Sequence, residues 1–216
     1  MVVTDCLDAY FKLMQQKPEL FADSPILKIV TDSETIEKFQ CEHNKKIGVL
    51  YRSHFNTLVV DLVESDDGIF AYERIIPTAE GRGVVCIPVF DGKFIVLNQF
   101  RHSIRSMQLA FPRGFGEDGL TSEENAKKEL SEEIGAETQN CMYLGSLSAD
   151  SGLIGAECDV FLAHITSYDP KRNTEGITEI LLMEPSELEE KVASRQIKDG
   201  FTLSAYSLLK TSKYSL

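Results

Sequence analysis

The chain has 216 residues, 43% of them hydrophobic, and a formal net charge of −12. That length supports one substantial core with room for a small appended domain. The negative charge argues against a broad nucleic-acid surface, which needs clustered Lys and Arg, and the longest apolar runs fall far short of a membrane span. Five cysteines (Cys6, Cys41, Cys86, Cys141, Cys158) are scattered, odd in number and without a C-x-x-C pair. They read as reduced thiols in a cytoplasmic protein with no zinc site. The stretch MVVTDCLDAYFKLMQQ has no basic leader and no long apolar segment, so no secretory signal is expected.

Leu7, Tyr10, Phe11 and Met14 recur at helical spacing and predict an amphipathic helix over 5–15. ILKIV at 26–30 reads as a short strand, and DSETIEKFQ at 32–40 as a short helix or turn. From Ile47 the segments IGVLYRS, TLVVDLVES and IFAYERIIP are β-branched and aromatic, separated by HFN and DDG turn signals, and predict an antiparallel meander. Tyr51, Phe70 and Tyr72 are expected to pack on this sheet rather than stack on bases. GVVCIPVF and KFIVLNQFR, split by Asp91-Gly92, predict a hairpin. MQLAFP then leads into a glycine-rich turn and a helix. Beyond it, MYLGSLSAD, CDVFLAHIT and EILLMEP are strand-like. PSELEEKVASRQI reads as a helix opened by Pro185 or capped by Ser186, and 200–213 as a closing helix. With no repeats and no linker-like runs, the expectation is one compact unit with an N-terminal appendage: an extension over 1–80 (a helix plus antiparallel strands) and a main domain over 81–216.

The chain is organised around residues 114–136, GFGEDGLTSEENAKKELSEEIGA. Thr121 and Glu124 form a capping-box signature, Ala126, Leu130 and Ile134 an apolar stripe, and Gly135 a C-cap. Glu129, Glu132 and Glu133 fall within an arc of about 100° beside that stripe. Like charges four apart destabilise a helix, so this edge calls for a cation, and hard divalent ions such as Mg²⁺ bind such oxygen ligands. Gly114, Gly116 and Gly119 also spell G-x-G-x-x-G, a dinucleotide fingerprint. Glu117 and Asp118 inside that loop, with Glu123 and Glu124 in the first helical turn, would oppose direct phosphate binding. A metal-bridged phosphate would not meet that objection.

These residues resemble the signature of the Nudix hydrolases, with Gly114, Glu129, Leu130, Glu132, Glu133 and Gly135 at matching positions and spacing. Three positions depart: Leu120 stands where the pattern has a glutamate, Lys128 where it has an arginine, and Ala136 is smaller than the usual aliphatic. The resemblance implies an α/β fold, a Nudix-type α/β/α sandwich with a mixed sheet. From about 84 to 190 the chain is similar to the nucleoside-diphosphate-sugar branch, which includes the ADP-ribose pyrophosphatases. That comparison implies substrate binding by Arg101 and Arg113, and a metal contact from the Arg113 backbone carbonyl. Ala110 stands where many relatives carry glutamate. In the loop SADSGLIGAE, Ser151 replaces a proline, and Glu157 lies one residue from the position of a catalytic glutamate. Glu157, Asp150 and Glu133 are all candidates for the general base. His102 and His164 have no partner spacing that suggests a triad, and Cys158 is expected to be a small buried hydrophobe.

The implied activity is Mg²⁺-dependent hydrolysis (Mn²⁺ a possible substitute) of a nucleoside diphosphate linked to another moiety. Products would be a nucleoside monophosphate and a sugar phosphate. Glu129, Glu132 and Glu133 would hold the metal, and Glu132, Glu133 and Glu157 would serve catalysis. The departures at 120 and 128 keep open an alternative, a catalytically weak Nudix-fold ligand binder or regulator. Expected partners are a small nucleotide derivative and a second copy of the chain, with residues 47–80 helping to form a homodimer interface; neither nucleic acid nor membrane is expected.

Overall fold

The computed structural model describes residues 5–172, 174 and 176–214; residues 1–4, the start of the stretch read for a leader, lie outside the described residues. Internal packing divides the chain into two units, Met1–Ala79 with Asp150–Ala156, and Glu80–Ala149 with Glu157–Leu216.

In the first unit, α1 (Cys6–Gln16), β1 (Lys28–Ile29), α2 (Ser33–His43), β2 (Gly48–Arg52), β3 (Asn56–Ser65) and β4 (Gly68–Pro77) follow in order. Asp32 caps α2 by accepting the Thr35 N–H at 2.8 Å. β3 is the central strand and pairs antiparallel with β1, β2 and β4. Because side chains alternate along a strand, β3 sends Val59 to a cluster with Tyr10 and Leu13 of α1, and Val60 and Leu62 to one with Ile36 and Phe39 of α2. The segment 150–156 joins this unit through backbone bonds, Ile75 N–H to Leu153 O at 2.8 Å and Gly155 N–H to Ile75 O at 2.9 Å. Tyr51 and Phe70, expected to pack, are 45% and 40% exposed, while the Tyr72 hydroxyl donates to Gly152 O at 2.6 Å. Aromatic residues suit a pleated surface whether or not a helix covers it, so composition alone did not separate the two cases.

Among the described residues of this unit one charged side chain is buried. Asp61 is 2% exposed. It accepts from the Tyr10 hydroxyl at 2.5 Å and from Arg74 Nε at 2.6 Å. Arg74 also donates to Leu20 O at 2.6 Å and lies 4.5 Å from the centre of the Phe21 ring. Burial, and then the neighbouring carboxylate, push the Tyr10 phenol well above its usual range.

The second unit carries β5 (Gly83–Phe90), β6 (Lys93–Arg101), β7 (Ser106–Ala110), β8 (Arg113–Gly114), α3 (Ser122–Ile134), β9 (Glu137–Leu147), β10 (Cys158–Ser167), β11 (Ile177–Met183), α4 (Pro185–Ala193) and α5 (Gly200–Thr211). Strand order is β11-β6-β5-β10-β9. Among the described residues β5 and β10 are the one parallel pair of this sheet, so the sheet is mixed. Residues of β5 alternate between two layers. Val84 and Cys86 pack with Ala126, Leu130 and Ile134 of α3, whereas Val85, Ile87 and Val89 pack with Leu188 of α4 and with Ala205 and Leu209 of α5. This is the α/β/α sandwich with a mixed sheet. Of the two proposed openings for α4, Pro185 in its first turn is the one found, with Glu184 at the N-cap.

The hairpin at Asp91-Gly92 is present, with φ of 50° and 74° at the two turn residues, as a two-residue turn requires. Its strands stay paired only at Val89–Phe94 and Phe90–Lys93. Beyond that they part, and the returning chain occupies the fork: β7 pairs β6, and β8 pairs β5 through Val85–Arg113 and Val84–Gly114. Among the described residues no helix is long and apolar enough to cross a membrane.

Removing one member of a buried charge pair leaves the other uncompensated, at a cost of about 3–5 kcal/mol. Asp61→Ala should therefore shift the urea unfolding midpoint of the protein by an amount of that order, far more than Glu64→Ala on the same strand.

Candidate active site

The site is assembled on α3 and the loop before it. Thr121 Oγ1 accepts from the Glu124 N–H at 3.3 Å, while Glu124 Oε2 accepts from the Thr121 N–H at 2.9 Å, completing the capping box. Gly135 ends the helix at φ 62° and donates to Ser131 O at 3.0 Å. The helix register follows from these caps and the buried stripe, and it determines where the glutamates point.

Two close approaches seat the loop. A Cβ at Gly116 would stand 1.7 Å from Gly81 O, and one at Gly81 would stand 2.3 Å from Glu117 O, so the two backbones meet only as glycines. Asn125, 1% exposed, donates to Phe115 O at 2.8 Å, and Asp118 Oδ1 accepts from the Glu80 N–H at 2.7 Å. A Cβ at Gly114 would lie 1.9 Å from Glu129 Oε1; the missing side chain leaves the room that this carboxylate occupies.

The result is a convergence of Glu117, Glu129 and Glu132, whose oxygens lie within 4.8 Å of one another. Three carboxylates at that spacing suit a hard divalent cation. Lys128 stands between two of them, 2.6 Å from Glu117 Oε1 and 2.8 Å from Glu132 Oε2. These hydrogen bonds, the one to Glu117 foremost, raise its pKa above the ordinary lysine range. Of the trio read from the sequence, Glu129 and Glu132 are in the cluster. Glu133 is buried, 4% exposed, and its Oε2 accepts from the Arg113 N–H at 3.2 Å. Burial, with added negative charge from Cys141, Glu133 and Glu129, holds the Cys86 thiol well above its usual pKa.

Arg113 has a second side. Its guanidinium is 3.3 Å from Asp199 Oδ1 and 4.2 Å from the centre of the Phe201 ring. With Arg101, Gln108, Lys198, Phe201 and Ser204 it lines a cavity of about 380 Å³. Asp199 also caps α5, accepting from the Thr202 N–H at 3.0 Å and hydroxyl at 2.8 Å.

Two of the base candidates have partners of their own. Glu157 is ion-paired with Arg82, which also holds Asp159 at 2.9 Å. Asp150 belongs to the first unit and accepts from the Gly152 N–H at 3.1 Å. Ala110 is fully buried, and His102 contacts Arg105 at 2.8 Å. Cys158 is half-buried, its thiol pKa raised by burial.

A family model described as the NUDIX domain matches residues 79–201. The chain belongs to the Nudix family. It is 28% identical over 109 residues to the ADP compounds hydrolase NudE of Escherichia coli (strain K12), an alignment covering 50% of this chain and 58% of that protein. A crystal structure of an ADP compounds hydrolase superposes with a TM-score of 0.65 at 18% identity, covering 76% of this chain and 90% of that one; this likeness shows the shared fold.

Glu117 was missed as a member of the cluster, having counted only against direct phosphate binding. The available signal was a cation retained at Lys128, four residues before Glu132, with acidic residues in the loop ahead of the helix. The cavity wall at 198–201 was missed too, although Asp199 with Thr202 three residues on is an N-cap signature.

Two alanine substitutions should separate site from scaffold. In Gly114→Ala the new methyl meets only the end of a flexible side chain, so stability should fall by less than about 1 kcal/mol. Glu129 would nevertheless leave the cluster, and Mn²⁺ affinity by titration calorimetry should drop at least about tenfold. Gly116→Ala strikes backbone and should cost roughly 2–3 kcal/mol by urea unfolding.

Proposed function

We propose that the protein is a pyrophosphohydrolase of the ADP-ribose and nucleotide-sugar branch. It would cleave a nucleoside diphosphate derivative to a nucleoside monophosphate and a sugar phosphate, with Mg²⁺ as cofactor and Mn²⁺ as substitute. One observation carries this reading: carboxylates of α3 lie against the 113–114 backbone, and the Arg113 guanidinium lines a cavity with Arg101 and Lys198. Similarity to an ADP compounds hydrolase supports the substrate class.

Glu129, Glu132, Glu133 and the Arg113 carbonyl would hold the metal. A bound divalent cation supplies Lewis-acid charge to phosphoryl oxygens and lowers the pKa of a coordinated water. Arg101, Arg113 and Lys198 would neutralise the diphosphate and the departing phosphate, and Phe201 offers an apolar face to a sugar or base. Glu157 would take the proton after exchanging Arg82 for a water, since in its present pair the carboxylate is engaged. The free state of all five cysteines agrees with a cytoplasmic setting.

We further propose a homodimer in which residues 47–80 contribute to the interface, motivated by the exposure of Tyr51, Phe55, Ile69 and Phe70 in that segment. Light scattering at micromolar concentration should then give about twice the monomer mass of 24.2 kDa; a monomer mass would reject it.

A panel of ADP-ribose and nucleotide sugars with Mg²⁺, scored by phosphate release after phosphatase treatment, tests the activity. Glu133→Gln keeps an acceptor for the Arg113 N–H, so folding should hold while kcat falls at least about 10²-fold. Arg101→Ala should raise KM about tenfold with kcat changed less than about threefold, the mark of binding shared by ground and transition states. A wild-type protein that binds Mn²⁺ but hydrolyses none of the panel would be the ligand binder instead.

A further inference from the structure

We propose that Glu117 is a positioning residue of the cation site, acting through Lys128. It would supply, three residues earlier in the chain, the carboxylate that Leu120 cannot. The proposal rests on the metal-dependent reading above.

The geometry comes from the path of the loop and from the contacts of the Lys128 ammonium. The Gly81–Gly116 approach and the Asn125 bond to Phe115 O fix the loop path. The turn that follows, with the Leu120 N–H on Glu117 O at 3.4 Å and Gly119 at φ 82°, places residues 117 and 120 at the two ends of one turn. From that turn the Glu117 carboxylate reaches Lys128 Nζ at 2.6 Å, while the same ammonium lies 2.8 Å from Glu132, four residues on along α3. Leu120 itself presents no acceptor.

An ammonium with three donors can serve two carboxylates arriving from different segments, whereas a planar guanidinium favours a bidentate grip on one. Lys128 bridged in this way divides its charge between Glu117 Oε1 and Glu132 Oε2, leaving the other Glu132 oxygen for a cation. Without Glu117 the whole ammonium charge would fall on Glu132 and compete with the metal for it. Folding does not explain the triangle, because the side chains of Glu117, Lys128 and Glu132 are 42%, 38% and 55% exposed, and exposed pairs of this kind add little stability.

The test is a double-mutant cycle read by Mn²⁺ titration calorimetry without substrate, with thermal unfolding as the structural control. Glu117→Gln should weaken Mn²⁺ binding about tenfold and leave the unfolding midpoint nearly unchanged. In a Lys128→Gln background, where no ammonium remains to be held, the same substitution should change affinity less than about twofold. Leu120→Glu added to Glu117→Gln should restore affinity to within about threefold of wild type. An equal loss in both backgrounds would mean that Glu117 ligates the metal or acts as bulk charge, and would overturn the positioning role, as would no loss at all. Failure of Leu120→Glu to rescue would overturn the equivalence of the two positions. A wild-type protein that binds no Mn²⁺ would remove the metal-dependent reading itself, and this proposal with it; hydrolysis with an additive cycle would remove this proposal alone.

Discussion

Carboxylates crowded along one edge of α3 set the terms for everything around them. Two like charges about 5 Å apart repel by roughly 1 kcal/mol in water and by several times that where solvent is thinner. Glu117, Glu129 and Glu132 lie within that range of one another. Three devices accommodate the four acidic groups. Glu132 and Glu117 share the Lys128 ammonium, Glu129 occupies space left open by Gly114, and buried Glu133 faces the Arg113 N–H. The helix tolerates the strain because other features hold it in place: a complete capping box, a left-handed glycine at its end, and an apolar stripe with no exposure.

The mixed sheet delivers the loop to this helix through the fork between β5 and β6. Arg113 and Gly114 pair with Val85 and Val84, and adjacent residues of a strand face opposite ways. Val84 packs toward α3 and Val85 toward α4 and α5. The same alternation explains why Gly114 meets Glu129 of α3, while the Arg113 side chain meets Asp199 and Phe201 at the start of α5. Two consecutive residues thus serve both layers of the sandwich, and the Arg113 N–H, donated to the Glu133 carboxylate, ties them to α3.

What was legible in the sequence was local. The capping box at Thr121 and Glu124, the stripe at Ala126, Leu130 and Ile134, and the strands of the meander each follow from spacing within a dozen residues, and each is present. What stayed hidden depends on the path of the chain through space. Glu117 joins the cluster because a glycine contact with Gly81 bends the loop, and no pattern at 114–136 includes residue 81. Glu157 pairs with Arg82, 75 residues away in sequence, which spacing cannot anticipate. Glu133 differs in depth: period put it beside Glu129 and Glu132, and burial distinguishes it from them. Hairpin spacing likewise identified β5 and β6 but not that they part after two residue pairs.

The cavity wall draws on a different stretch of the chain from the acidic cluster. The family match ends at residue 201, so most of α5 lies beyond it. Yet α5 is bonded into the loop that carries Arg113. Thr202 Oγ1 accepts from the Phe111 N–H at 2.9 Å and donates to Asp199, and Asp199 in turn faces the Arg113 guanidinium. Asp199 therefore has two tasks, ending the helix dipole with a negative charge and aiming a cation. A change at the start of α5 would alter the direction of Arg113 without touching α3, whereas a change on α3 would alter the acidic cluster without touching the cavity wall. On the proposed function, this separation lets substrate preference vary through 198–204 while the cation-binding chemistry stays with 114–136.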